Sequence, residues 1–264
     1  MPTSTRANSS VQVTCLQLEI RDGDPKRNLE HALAMLHTAP ESDVYLLPEL
    51  FTTGYAHRTW ESAAREHTPE AVAELERFAR ERDTSIVAGT IALNENGKLV
   101  NRLWHISPQR RQHYDKIHLI AAFREPELLE RGEKLCAAEL HDLHVSFSVC
   151  FDLRFPELYR AAALDGAEAF FVISEWPAKR MNALLTLATA RAMENQCFVV
   201  LCNRTGIAQD GTKFEGGSRI IDPEGDVIAQ ALAGEGLCSG EIDSSVVRSL
   251  REQFPVLQCS RRSW

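Results

Sequence analysis

The chain has 264 residues, of which 44% are hydrophobic and 25% are charged, which is typical of a folded globular protein. Its 37 acidic and 29 basic residues give a formal net charge of −8, which disfavours non-specific binding to nucleic acid or to an anionic membrane surface. No apolar run approaches the roughly 20 residues that span a bilayer. The seven cysteines are scattered and odd in number, so we expect no disulfide framework and predict a reducing, cytoplasmic compartment.

The first half alternates between segments typical of strands and of helices. Residues 1–10 lack the apolar stretch of a signal peptide and predict a disordered tail. A helix is predicted to open at Asp24-Pro25, with Asp24 as the N-cap and Pro25 in the first turn, and a second at Thr68-Pro69. Strands are predicted at 11–18, 43–48, 85–93, 99–107 and 109–116, with a hairpin turn at Asn96-Gly97.

The second half repeats this plan. Strands are predicted at 144–150, 167–174, 197–203 and 237–243, and helices from Pro156 and over 179–195. A hairpin turns at Pro223-Glu224-Gly225, and Ser244 or Ser245 is predicted to cap a last short helix. Helices between strands indicate an α/β fold, and no linker divides residues 11–264, so we predict a single domain. The chain has neither a Gly-x-Gly-x-x-Gly turn after the first strand nor a Walker loop, which removes support for nucleotide binding.

Polar residues follow several apolar strands, where α/β enzymes place their sites. Cys150 ends a strand before a turn into the Pro156 helix, where we expect an exposed thiol near free backbone N–H groups. Glu49 follows an apolar run and should be partly desolvated, which suits a base acting near neutral pH. His118 and His144 are alternative bases, as in a Cys-His hydrolase.

Five motifs stand in order along nearly the whole chain, from Val11 to Pro255. They are PELFTTGY at 48–55, YDKIHL at 114–119, CFDLRFPELYR at 150–160, ARAMENQCFVV at 190–200 and GGSRIIDPEGDVIA at 216–229. In these motifs the chain resembles the nitrilase superfamily, the carbon–nitrogen hydrolases. Lys116 alone is compatible with a surface lysine, but in this order with Glu49 and Cys150 it belongs to the pattern.

The resemblance implies a role for each matched residue. Glu49 would be the general base, Lys116 the stabiliser of the transition state and Cys150 the nucleophile. The main-chain N–H of Phe151 would complete the oxyanion hole. No metal or organic cofactor is implied.

The family also carries a second glutamate in the loop after the lysine, several residues before a glycine. Glu125 matches best, seven residues before Gly132, and Glu127 and Glu130 are the alternatives.

The family fold is a four-layer αββα sandwich with two similar halves, and its members commonly pair as homodimers. The resemblance therefore implies a homodimer with the helix from Pro156 and the C-terminal segment at its interface.

The run Glu175-Trp176-Pro177 resembles the ω-amidase branch, which hydrolyses 2-oxoglutaramate and 2-oxosuccinamate, although those relatives carry asparagine where this chain has Glu175. A deaminated glutathione amidase, an N-carbamoyl amine amidohydrolase and an aliphatic amidase are the alternatives. A non-catalytic scaffold is a remote one, because all three catalytic residue types are present.

For a carboxylated amide substrate, the candidate binding residues are Phe51, Trp176 and Arg154. Arg154 is also a candidate for a structural salt bridge with Asp152 or Glu157, and that role is the one we expect.

Overall fold

The computed structural model describes residues 10–261, so most of the predicted tail lies outside the described residues. The first strand begins at Ser10, one residue inside the predicted tail. The strands are β1 (Ser10–Gln17), β2 (Val44–Leu46), β3 (Ser85–Leu93), β4 (Leu99–Ile106), β5 (Arg111–Asp115), β6 (Ala137–Leu140), β7 (Leu143–Val149), β8 (Ala169–Ser174), β9 (Phe198–Asn203), β10 (Thr205–Ile207), β11 (Lys213–Glu215), β12 (Arg219–Ile221), β13 (Val227–Gln230) and β14 (Gly236–Asp243). The helices are α1 (Pro25–Thr38), α2 (Trp60–Ser62), α3 (Thr68–Arg82), α4 (Glu125–Leu128), α5 (Pro156–Leu164), α6 (Met181–Asn195) and α7 (Ser244–Gln253).

Twelve strands form two six-stranded sheets. The first sheet has the order β14-β1-β2-β3-β4-β5 and the second has the order β13-β12-β9-β8-β7-β6. In each sheet three central strands run parallel, β1-β2-β3 and β7-β8-β9, and antiparallel strands flank them. The two sheets therefore repeat one plan, as the alternating sequence pattern predicts.

The layers follow from which strand faces are apolar. On the first sheet, Leu16 and Ile86 pack with Leu36 of α1 and Phe78 of α3 in one buried cluster. The other face of the first sheet shares a second buried cluster with both faces of the second sheet and with α5 and α6; its members include Val13, Phe171 and Ala188. Each sheet thus has one face against helices and one against the other sheet, which confirms the predicted αββα sandwich.

Three details differ from the sequence-based prediction. Asp243 caps α7, because its Oδ1 accepts from the Ser245 backbone N–H at 2.8 Å, so neither predicted serine is the cap. The helix predicted from 179 begins at Met181, after a 3₁₀ turn. The helical turns over 57–67, which contain a π-helical stretch, have no apolar period of their own and were not predicted. Within residues 10–261 no helix is long and apolar enough to cross a bilayer.

Candidate active site

The candidate residues lie where strands of both sheets end. Glu49 follows β2 and Lys116 directly follows β5 in the first sheet, whereas Cys150 follows β7 and Glu175 follows β8 in the second. The backbone N–H of Glu175 donates to Oε2 of Glu49 at 2.8 Å, which joins the two sheets at this point. Residues more than a hundred positions apart therefore share one site, where β2, β5, β7 and β8 end.

Lys116 lies between two carboxylates. Its Nζ donates to Oε1 of Glu49 and to Oε1 of Glu125, each at 2.8 Å, and all three side chains are fully buried. Burial alone would lower the pKa of Lys116, but the two carboxylates outweigh it and raise the pKa well above its usual value. The lysine is therefore a fixed positive charge in a region closed to water.

Two residues that the sequence analysis did not single out complete this cluster. The Tyr55 hydroxyl donates to Oε1 of Glu125 at 2.8 Å and to Oε1 of Glu49 at 3.1 Å. Asn101 of β4 donates through Nδ2 to Oε1 of Glu49 at 2.7 Å. Tyr55 ends the PELFTTGY motif, so that motif contained its signal, whereas Asn101 lies in a strand without any local signal.

The structure distinguishes the three candidates for the second glutamate. Glu125 is buried at the start of α4, and its Oε2 accepts from the Ile120 backbone N–H at 2.7 Å while Oε1 faces Lys116. Glu127 is exposed and pairs with Arg124. Glu130 accepts from an asparagine side chain away from the cluster. Glu125 is therefore the glutamate that lies at the site.

Cys150 occupies a conformation that side chains rarely adopt. Its φ is +46°, in the left-handed region, and it opens a five-residue 3₁₀ turn that separates β7 from α5. Such strain is often found at functional positions. Only 4% of the residue is exposed, so the predicted exposed thiol is wrong. Burial, assisted by the charge of Glu49, raises the pKa of Cys150 well above its usual value, although Lys116 opposes this. The resting sulfur is therefore a thiol, and it needs a base.

Asp152 holds the turn that carries Cys150. Its Oδ2 accepts from the Val149 backbone N–H at 3.0 Å and from the Tyr114 hydroxyl at 2.7 Å. Its Oδ1 accepts from the backbone N–H of His118 at 2.9 Å. This fully buried carboxylate thus ties the nucleophile turn to the segment that follows Lys116.

The two histidines considered as bases have other partners. Nδ1 of His118 lies 2.8 Å from Oδ1 of Asp152, and its ring stacks on Phe155 with centroids 3.6 Å apart. His144 lies at the start of β7, where its backbone N–H donates to Glu168 at 3.0 Å. Glu49, whose charge acts on the buried Cys150 thiol, stays the candidate base.

Two glycines allow these segments to approach one another. A Cβ on Gly89 of β3 would lie 2.7 Å from Cα of Glu49, so only glycine admits the Glu49 segment against this strand. A Cβ on Gly132 would overlap the carbonyl oxygen of Asp115, and the Gly132 backbone N–H donates to the carbonyl of Lys116 at 2.9 Å. Close backbone contact therefore sets the positions of the glutamate and the lysine.

A cavity of about 170 Å³ opens beside Cys150. Such a volume is smaller than the roughly 300–1,000 Å³ typical of drug-sized ligands, and it suits a small acyl group. The walls combine aromatic and basic side chains. They include Phe123, Phe151, Arg154, Trp176, Lys179 and Arg180.

Two of the predicted binding residues take different roles from those expected. Phe51 is fully buried in the cluster formed by the first sheet with α1 and α3, so it belongs to the core. Arg154 forms no ion pair with Asp152 or Glu157 in the described chain, and its guanidinium lies 5.0 Å from the ring centre of Trp176. It therefore presents a positive charge to the cavity, as a substrate-binding residue would, and does not form the structural salt bridge that the sequence analysis expects.

A family model for carbon–nitrogen hydrolases matches residues 12–252. The chain belongs to the carbon–nitrogen hydrolase family. Among curated relatives, a 2-oxoglutaramate amidase of Bacillus subtilis is 35% identical over 253 residues, which cover 95% of this chain and 97% of the relative. Omega-amidase YafV of Escherichia coli K12 is 33% identical over 250 residues, covering 94% of this chain and 96% of the relative.

A solved carbon–nitrogen hydrolase has the same fold. The structure of XC1258 from Xanthomonas campestris, a CN-hydrolase superfamily protein with an arsenic adduct in its active site, superposes with a TM-score of 0.91. It is 27% identical, and the match covers 97% of this chain and 98% of that one. The family and the fold inferred from the five motifs are therefore confirmed.

Proposed function

We propose that this carbon–nitrogen hydrolase is an ω-amidase, which releases ammonia from the distal amide of a small 2-oxo acid such as 2-oxoglutaramate or 2-oxosuccinamate. The relatives that carry these activities in their names match nearly the full length of the chain. The observation that carries the proposal is the small cavity at Cys150, which has an apolar wall and a basic rim.

The basic rim supplies the partner for a substrate carboxylate. Arg154 is half-buried, Lys179 and Arg180 are exposed, and within residues 10–261 none of the three forms an ion pair with a carboxylate. The thiol lies at the buried end of the same cavity. An amide whose other end is a carboxylate is therefore held with its carbonyl carbon at the sulfur, although the chain as a whole is acidic.

The first half of the reaction forms a thioester. Glu49 accepts the thiol proton as the Cys150 sulfur attacks the amide carbon, which avoids a free thiolate in a buried site. The developing oxyanion is stabilised by Nζ of Lys116 and by the backbone N–H of Phe151. Loss of one such donor typically costs about 10²–10³ in rate. Glu49 then passes its proton to the leaving nitrogen, and ammonia departs.

The second half releases the acid. Water takes the place of ammonia, Glu49 removes its proton, and the hydroxyl oxygen attacks the thioester carbon. The C–S bond breaks, and the sulfur recovers the proton from Glu49. Glu125 and Tyr55 keep Lys116 in position throughout, because Nζ of Lys116 donates to Oε1 of Glu125 at 2.8 Å and to the Tyr55 hydroxyl at 3.4 Å. The Tyr55 hydroxyl in turn donates to Oε1 of Glu125 at 2.8 Å.

A deaminated glutathione amidase is the second candidate, and a specific feature favours it. A larger cavity of about 580 Å³ adjoins the first, and Phe123 and Glu175 line both. An extended amide would use this additional space.

Two further expectations belong to the proposal. Large exposed apolar side chains on β13 and after α7, among them Ile228 and Phe254, support a homodimer that buries the C-terminal segment. All seven cysteines are free thiols, which supports a cytoplasmic location.

An ammonia-release assay over matched amides tests the function. The panel contains 2-oxoglutaramate, 2-oxosuccinamate, deaminated glutathione, an N-carbamoyl amine and a simple aliphatic amide. We expect the 2-oxo ω-amides to give the highest kcat/KM, and Cys150→Ala to lower it by at least about 10³-fold with the fold retained. Equal rates across the panel, or turnover by the alanine variant, would contradict the proposal.

A further inference from the structure

The Glu175 carboxyl lies in the wall shared by the two cavities. It is fully buried, and it lines both the cavity that contains Cys150 and the larger one beside it. Its Oε2 accepts from Nη1 of Arg204 at 3.2 Å. Its Oε1 has no hydrogen-bond partner within residues 10–261. Buried polar atoms are nearly always paired, so this unpaired oxygen, on a residue that lines two cavities, points to a ligand as its partner.

Burial and two neighbouring carboxylates favour the protonated form of this carboxyl, whereas Arg204 opposes it. Arg204 is already paired with Asp22 at 3.0 Å, and the backbone of Glu175 itself holds Glu49. Burial raises the pKa of Glu175 to about 8, because the opposing effect of Arg204 is reduced by the charges of Glu49 and Asp22. Since the guanidinium occupies Oε2, the acidic proton is expected on Oε1. The catalytic cluster and the two cavities hold further charged or titratable groups. They are Lys116, Glu125, Tyr55, Cys150, His57, Arg58, Arg124, Arg154, Lys179, Arg180 and Asp210.

We propose that Glu175 is a specificity-determining residue whose Oε1–H donates a hydrogen bond to the 2-oxo oxygen of the substrate. This inference rests on the proposed ω-amidase function. A substrate with its amide carbon at Cys150 and its carboxylate at the basic rim places its middle atoms along the wall that Glu175 and Trp176 form.

A donor at this position selects against one close analogue. The 2-amino acid amide carries an ammonium group where the substrate has its oxo oxygen. A protonated carboxyl with Arg204 behind it offers that ammonium group neither an acceptor nor a negative charge. An ionised Glu175 would have the opposite preference, so the protonation state decides which class of amide the site accepts.

The test compares Glu175→Gln, which keeps a donor, with Glu175→Leu, which has none. The measured quantity is the ratio of kcat/KM for 2-oxoglutaramate to kcat/KM for glutaramate, the same chain without the oxo group. We expect the ratio to fall about 10-fold in E175L, the value of one hydrogen bond, and by about threefold or less in E175Q. Glu241 is exposed on β14, and E241Q and E241L are matched controls for which we expect no change.

The pH dependence gives a second readout that does not need E175L to fold. In the wild type the same ratio should fall as pH rises through about 8, whereas in E175Q it should stay flat. Ionisation of the catalytic groups affects both substrates alike and cancels in the ratio.

Three results would each overturn the role of Glu175. They are an equal fall of the kcat/KM ratio in E175Q and E175L, a pH-independent ratio in the wild type, and a preference for glutamine over 2-oxoglutaramate. A wild type that releases no ammonia from any 2-oxo ω-amide would overturn the proposed function together with it. Turnover of those amides with an unchanged ratio in E175L would overturn the inference alone.

Discussion

Removing the positive charge of Lys116 should destabilise the fold as well as the chemistry. The variant Lys116→Met keeps a side chain of similar length but leaves Glu49 and Glu125 facing each other without a cation. The Oε1 atom of each lies 2.8 Å from Nζ, so these two oxygens are at most about 6 Å apart, and both side chains are fully buried. At an effective dielectric constant of about 20, two unit charges at that separation repel by about 3 kcal/mol.

That magnitude agrees with the roughly 3–5 kcal/mol lost when one partner of a buried ion pair is removed. For a chain of this size, each kcal/mol lowers the melting temperature by about 2–4 °C. We therefore expect K116M to melt about 6–20 °C below the wild type at pH 8. Protonation of one carboxylate relieves the repulsion, and the unfolded chain does not take up that proton near neutral pH. The deficit should shrink as the pH falls towards about 5.5.

Thermal unfolding followed by circular dichroism at pH 8 and at pH 5.5 measures this effect. The double variant K116M/E125Q removes one of the two carboxylate charges and should recover at least half of the lost melting temperature at pH 8. Lys98→Met, at an exposed hairpin position, is the matched control and should unfold within a degree or two of the wild type. A K116M deficit that is equal at both pH values and is not reduced by E125Q would refute the reasoning.

Three further predictions concern Asp152 of the nucleophile turn, His118 and the assembly. Asp152→Ala removes the acceptor of the Tyr114 hydroxyl and of the Val149 and His118 backbone N–H groups, so we expect kcat/KM to fall at least about 10²-fold. His118→Ala should lower kcat/KM by less than about 10-fold in the same assay. A larger loss in His118→Ala than in Asp152→Ala would instead support a Cys-His mechanism. Sedimentation of the wild type should give twice the 29.6 kDa chain mass, and Phe254→Asp should halve it; a monomeric wild type would contradict the homodimer.

Most of the architecture could be predicted from local patterns. Alternating and apolar runs marked the central strands, and Asp24-Pro25 marked the start of α1, where the Asp24 carboxylate accepts from the Arg27 backbone N–H. These signals are local because a strand face or a helix cap involves residues only a few positions apart. The cap of α7 was misplaced by one or two residues, because Asp243 ends a strand and caps the following helix at once.

The site was predictable only in part. The residue types and their order identified Glu49, Lys116 and Cys150 as a set, and the spacing to Gly132 favoured Glu125. The burial of Cys150 was not predictable, because it depends on how the second sheet packs against the loops of the first. The predicted exposed thiol and the predicted role of Phe51 both failed for this reason.

The sequence by itself determined the family, the fold class and the chemical identity of the reacting groups, since these reside in short motifs. The tertiary structure alone decided that Tyr55, Asn101 and Asp152 serve the site, and that one glutamate of three faces the lysine. It also placed Glu175 in the cavity wall and left its buried Oε1 without a hydrogen-bond partner among residues 10–261. The physical reason is that hydrogen bonds and desolvation depend on distances between strand ends of two different sheets, and no local sequence pattern specifies those distances.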